Sequence, residues 1–164
     1  MKFMIILGID PGTARVGYSI IEKQNGEAAL ITYGCLEVKN KAQTERLLEI
    51  SRFVSDLIAR HHPKMLAIEK LFFTKNAKTA LTVAEARGVV INAAVSLDLN
   101  VLEFTPLEVK AAVTGYGKAE KRQVQEMVCR LLNLKEIPRP DDAADAIAIG
   151  LTACYTNPKL STKA

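Results

Sequence analysis

The opening stretch of the chain, residues 5–17 (IILGIDPGTARVG), limits its fold more than any other part. Ile5, Ile6, Leu7 and Ile9 form a near-continuous apolar run, the pattern of a strand buried on both faces. Asp10 ends the run, and Pro11-Gly12 then breaks the strand, because proline donates no hydrogen bond and glycine permits a sharp turn. A carboxylate is thereby fixed at the carboxyl end of a core strand. Asp-Pro-Gly is also ordinary turn chemistry, so Asp10 alone decides nothing. Its meaning depends on which other acids the fold brings to it.

Residues 16–23 and 28–38 are rich in β-branched residues and tyrosine, and the intervening Gln24-Asn25-Gly26 is a strong hairpin signal. With the opening strand they predict a three-stranded meander. Residues 43–61 place Leu47, Ile50, Phe53, Val54, Leu57 and Ile58 at helical spacing. His61 and His62 precede Pro63 at its end; adjacent residues point apart on a helix, so the pair marks a terminus and not a metal site. Residues 65–73 (MLAIEKLFF) return to the buried-strand pattern and carry one acid, Glu69.

A long helix is predicted over 78–97, with Thr82, Glu85, Asn92 and Ser96 confined to a narrow polar stripe. Its apolar surface is broader than one sheet face needs, and Ala84, Ala86, Gly88, Ala93 and Ala94 keep it shallow. Burial of a second side against another copy of the chain is expected; the alternative is a helix sandwiched inside a monomer. A strand at 100–104, a helix at 107–113 and a link at Gly115-Tyr116-Gly117 follow. An amphipathic helix at 119–132 then turns Lys121, Arg122 and Arg130 outward. After the rigid Ile137-Pro138-Arg139-Pro140, Asp141 is placed to cap a last helix running from Asp142 to about Tyr155. One domain over 1–155 with a polar tail at 156–164 is expected.

This order of elements predicts an α/β fold, a five-stranded mixed sheet flanked by helices on both faces. The first strand then pairs with the second on one side and with the strand at 65–73 on the other. The carboxyl ends of those two parallel strands form a topological switch point, where open sheets bind ligands. Asp10 and Glu69 occupy those two ends.

Asp142-Ala-Ala-Asp145 adds two carboxylates on one helix face, with alanines that let the helix lie close to the sheet. Asp141 also pairs with Asp145 at the next helical spacing, which leaves the register open. Gathering such charges is unfavourable: two of them ~4 Å apart repel by roughly 4 kcal/mol at an effective dielectric near 20. Oxygen-only ligands select hard divalent cations, Mg²⁺ or Mn²⁺. Two such ions can clamp a scissile phosphate, so phosphodiester hydrolysis without a covalent intermediate is the expected chemistry.

Composition mainly excludes. Cys35, Cys129 and Cys154, without Cys-x-x-Cys spacing, argue against a disulfide framework or a zinc site. No segment approaches membrane-spanning length, and the first apolar run is too short for a signal peptide, so a cytoplasmic location with no membrane partner is expected. A net charge of +4 is weak evidence for nucleic acid by itself.

GIDPG, AIEKLFF, the N-A-x-x-A-L run with ARG at 76–88, VKxxVTGYGKAEKxQVQxMV and DAADAIAIG resemble, in order and spacing, the motifs of the RuvC Holliday-junction resolvases. The resemblance runs from Ile5 to about Cys154. It implies a ribonuclease H-like fold, a homodimer, and paired symmetric nicks in a four-way DNA junction during recombination and repair. It further implies hydrolysis assisted by Mg²⁺, with Mn²⁺ as a substitute and two ions per active site, and RuvA and RuvB as branch-migration partners. The family's acidic tetrad carries over to Asp10, Glu69, Asp142 and Asp145 as catalytic and metal-binding residues, favouring Asp142 over Asp141. The sequence departs from the commoner family wording at Thr13-Ala14-Arg15, in place of Ser-Arg, and at Ser19, where glycine is frequent.

The resemblance also implies that an aromatic at Phe72 or Phe73 stacks on bases unpaired near the crossover, a contact of ~1–3 kcal/mol per base. Lys75, Lys110, Lys118 and Lys121 are expected at phosphates, which position DNA without reading sequence; Lys110 and Lys121 match basic positions of the family motif. Three other readings compete. GIDPGT resembles the first phosphate loop of actin-like ATPases and sugar kinases, but those folds need two lobes and a second glycine-rich hairpin. A ribonuclease H-like nuclease acting on an RNA–DNA hybrid is the nearest rival, and a non-enzymatic junction-binding scaffold would not need the acids.

Overall fold

The apolar opening run is strand β1 (Phe3–Asp10), and β2 (Arg15–Gln24) and β3 (Glu27–Glu37) complete the meander. The computed structural model describes residues 3–71 and 77–156. Asn25 and Gly26 at the hairpin tip both have positive φ, 52° and 91°, as the tight turn that matches strand twist requires. Helix α1 (Gln43–His61) ends with His62 in the left-handed region, its amide donating to the Ile58 carbonyl at 2.9 Å. Then come β4 (Met65–Glu69), α2 (Ala77–Ser96), β5 (Asn100–Phe104), α3 (Pro106–Thr114), α4 (Lys121–Leu131) and α5 (Asp141–Tyr155).

The sheet order is β3-β2-β1-β4-β5. Strand β1 is antiparallel to β2 and parallel to β4, so the switch point lies where the sequence pattern placed it. Side chains alternate between faces. Leu7, Ile9, Ile20, Leu66 and Ile68 meet α1 and α2 on one side, through Ile50, Val54, Leu57, Ala86 and Val90. Ile6, Ile21, Met65, Ala67 and Leu102 meet α5, α3 and α4 on the other, through Ile147, Leu151, Val109 and Val128. Asp10 shares the parity of Ile6, and Glu69 that of Met65 and Ala67. Both acids therefore project to the α5 side at the carboxyl ends of neighbouring strands.

Three local expectations need correction. The fourth strand stops at Glu69, not at residue 73: the Lys70 amide still reaches the Phe104 carbonyl at 2.7 Å, but β5 has ended there. Phe72, Phe73 and Lys75 lie outside the described residues. Helix α4 starts at Lys121, with Ala119 buried ahead of it in the connecting turn. Asp141 does not cap α5; the cap position is Pro140, without a side-chain bond, and Asp141 is the first helical residue. Cys35, Cys129 and Cys154 are free thiols, the last one buried. Among the described residues no helix is long and apolar enough to cross a membrane.

Candidate active site

Glycines set how closely α5 approaches the sheet. A Cβ on Gly8 would lie 2.5 Å from both the Ala146 carbonyl oxygen and Ser19 Oγ, and one on Gly17 would collide with the Asp142 carbonyl. Gly17 is the cross-strand partner of Asp10, so the missing side chain lets the first turn of α5 rest beside that acid. Ser19, fully buried, donates from Oγ to the Ala146 carbonyl at 2.8 Å and ties β2 to the helix. The serine that departs from the usual family glycine is thus a tether, accommodated because Gly150 has no side chain there.

Asp10, Glu69 and Asp145 line one cleft of about 230 Å³ together with Lys110 and Lys121, over a floor that includes Val109, Val124 and Ile149. Asp142 is not among its lining residues; its carboxylate stands 3.9 Å from Arg15, which also pairs with Glu37 at 3.6 Å. Lys121 donates to Asp145 at 3.0 Å and lies 3.4 Å from Asp141, whose other oxygen accepts from Gln125 at 3.3 Å. The outward lysine of the amphipathic pattern is therefore the counter-charge of the acids, reached through the fold. Lys118 is exposed between α3 and α4 and does not line the cleft.

Burial, and then repulsion from Asp145, Glu69 and Asp142, pushes the Asp10 carboxyl up to about 8, against the pull of Lys121. Glu69 is raised by burial and by Asp145, with Lys110 and Lys121 opposing. Asp145 is raised by burial, although its bond to Lys121 works the other way. All three carboxyls are shifted toward the protonated form, chiefly by burial, and the positive charge that faces them only partly opposes the shift. The sequence reading missed Arg87, whose Nε donates to the Glu69 backbone carbonyl at 3.0 Å while its guanidinium pairs with Glu103. Its signal was a basic residue one position after the buried Ala86, amid a largely apolar helix.

An all-oxygen donor set with raised carboxyls fits a hard divalent cation, which would replace the bound proton. The arrangement is not a ready-made cage. Among the described residues no three acidic, histidine or cysteine side chains are drawn together closely enough to hold a metal ion. Lys121 engages two of the carboxylates, Asp141 and Asp145.

Acids from two adjacent parallel strands and from a helix packed across them, on a sheet of this order, define the class: ribonuclease H-like nucleases. The family model described as crossover junction endodeoxyribonuclease RuvC matches residues 6–153. The protein of that name from Halothermothrix orenii is 50% identical over 155 residues, covering 94% of this chain and 93% of the relative. That from Desulforamulus reducens is 51% identical over 149 residues, covering 90% and 91%. The structure of T. thermophilus RuvC in complex with Holliday junction substrate superposes with a TM-score of 0.87 at 34% identity, covering 93% of each chain. The chain belongs to the RuvC family of crossover junction endodeoxyribonucleases.

Proposed function

We propose that this chain resolves four-way DNA junctions by paired symmetric nicks, hydrolysing phosphodiester bonds in recombination and repair. The observation that carries this reading is the meeting of Asp10, Glu69 and Asp145 in one cleft, with Asp142 on the adjoining turn, in a member of this family. Asp10, Glu69, Asp142 and Asp145 would hold Mg²⁺, or Mn²⁺ in its place, two ions per site. Bound there, such ions supply Lewis-acid polarisation of the scissile phosphate and a more acidic water. Lys110 and Lys121 line the same cleft and would donate to phosphate oxygens, Lys121 exchanging its carboxylate partners for DNA. Lys75, Lys118, Phe72 and Phe73 are assigned to DNA by the family motif alone.

A homodimer is supported by α2, which leaves Leu81, Gly88 and Val95 exposed at seven-residue spacing, a continuous apolar stripe. RuvA and RuvB are the proposed branch-migration partners, and residues 1–155 the folded domain. Its free thiols suit a reducing cytoplasm.

The test is a synthetic immobile junction with Mg²⁺, scored for symmetric nicks, with an RNA–DNA hybrid alongside. Asp10→Asn, Glu69→Gln and Asp142→Asn should abolish nicking while junction binding persists. Cleavage by these variants, or preferential cutting of the hybrid, overturns the reading.

A further inference from the structure

Arg87 contacts neither the cleft nor any group assigned to DNA, yet it grips the strand end that carries Glu69. Its side chain is only 18% exposed. Nε donates to the Glu69 carbonyl at 3.0 Å, and the same guanidinium pairs with Glu103, which sits beside Ile68 in the neighbouring β5. Glu69 is the last residue of β4, and one further bond to β5, from the Lys70 amide, follows it. A carboxylate placed there takes its direction from the peptide planes flanking its Cα. The strand ladder fixes the plane before Glu69; the plane after it is held on one edge by the Lys70 amide, which donates to the Phe104 carbonyl at 2.7 Å, and on the other by Arg87 at the Glu69 carbonyl. A guanidinium offers donors along separate directions and can hold a carbonyl and a carboxylate together, which a lysine ammonium does not reproduce.

We propose that Arg87 is a positioning residue that sets the direction of the Glu69 carboxylate toward the divalent cation, clamping the end of β4 between α2 and β5. This rests on the metal-dependent nuclease reading above. It makes the metal affinity of the site depend on how α2, the helix with the exposed apolar stripe, is seated.

The experiment compares wild type with Arg87→Met, Arg87→Lys and Glu103→Gln. Four readings are taken: thermal unfolding, metal-free junction affinity, cleavage at saturating junction as Mn²⁺ is varied, and Mn²⁺ binding without DNA by electron paramagnetic resonance. Supporting groups behind metal ligands change affinity or activity by roughly 10–100-fold, so Arg87→Met should weaken Mn²⁺ binding and lower kcat by about tenfold or more. Junction affinity should stay within about twofold, and added Mn²⁺ should restore part of the rate. Arg87→Lys should recover thermal stability while the Mn²⁺ requirement stays raised, and Glu103→Gln should raise that requirement by a smaller factor. Wild-type Mn²⁺ binding in Arg87→Met and Arg87→Lys overturns the assignment, whatever happens to stability. So does a loss of junction affinity equal to the loss of rate. Should Arg87→Met fail to fold, Arg87→Lys and Glu103→Gln decide alone: a wild-type Mn²⁺ requirement in both overturns it. Failure of the wild-type chain to nick a junction in Mg²⁺ would instead sink the functional reading.

Discussion

Helices α5 and α2 look alike in composition, rich in alanine and weakly divided into polar and apolar faces, yet they pack in opposite ways. Eleven of the fifteen residues of α5 are buried, because β1, β2 and β3 lie beneath it and α3 and α4 flank it. Only five of the twenty residues of α2 are buried, although α1 lies alongside and the sheet below. The small residues of α5 are explained within one chain, since Gly8, Gly17 and Gly150 mark places where a Cβ would strike a neighbour. In α2, Ala80, Ala86, Ala93 and Ala94 are buried in the same way, but Gly88 is not: a Cβ there would meet nothing within 4 Å. An apolar helix satisfied by its own fold and one that is not cannot be told apart by composition. Only the positions of the neighbours separate them.

The largest effect tests the chemistry that α5 brings. Asp145→Asn should lower junction cleavage on the order of 10³-fold, because it removes a group proposed to hold the ion that polarises the scissile phosphate. Gel-shift assays should still show the complex. Equal losses of cleavage and binding would make α5 a DNA-contacting helix.

Proton linkage probes how deeply α5 seals the acids. In the unfolded chain Asp10 ionises near 3.8, in the folded metal-free chain near about 8. The folded state holds the proton more tightly between those values. Stability therefore falls as pH rises from about 4 to about 8 and levels off above. Mg²⁺ competes with that proton and should stabilise the protein more as pH rises. Melting curves at pH 5 and pH 8, with and without Mg²⁺, check both signs, and Asp10→Asn should flatten the metal-free slope. A rise in metal-free stability over that range would mean α5 does not bury these carboxyls.

Two alanine substitutions then set the helices against each other. Gly8→Ala forces a methyl group against the α5 backbone and should cost about 1–3 kcal/mol in urea unfolding. Gly88→Ala has room, and should gain up to about 1 kcal/mol of helix propensity in the monomer while loosening the proposed dimer. The smallest thermodynamic change is expected for Leu81→Lys with Val95→Lys: monomer stability within about 0.5 kcal/mol of wild type, as for exposed sites, but a monomer by sedimentation. A double variant that stays dimeric removes α2 as the interface.

Much of this was legible in the sequence because strand burial and the β1–β4 switch point are written in local patterns. The run ending at Asp10, the Asn25-Gly26 turn and the α1 spacing each depend on immediate neighbours. The acids Asp10 and Glu69 followed from strand order alone. What stayed hidden depends on partners far along the chain. The apolar Leu71, Phe72 and Phe73 prolong the pattern of β4 past the point where β5 ends, so the strand looked longer than it is. Amphipathicity marks Lys121 as polar but does not say that α4 aims it at Asp141 and Asp145. Arg87 resembles any solvated charge until β5 supplies Glu103.

The acids are borne by β1, β4 and α5, so the earliest-made and latest-made of these segments must both be in place. While a ribosome is still extending the polypeptide, Asp10 and Glu69 emerge without the helix that completes their group. On the proposed assignment, a nascent or truncated product stopping short of α5 would carry no assembled cutting centre. Completion of the polypeptide would then be the safety catch on its chemistry.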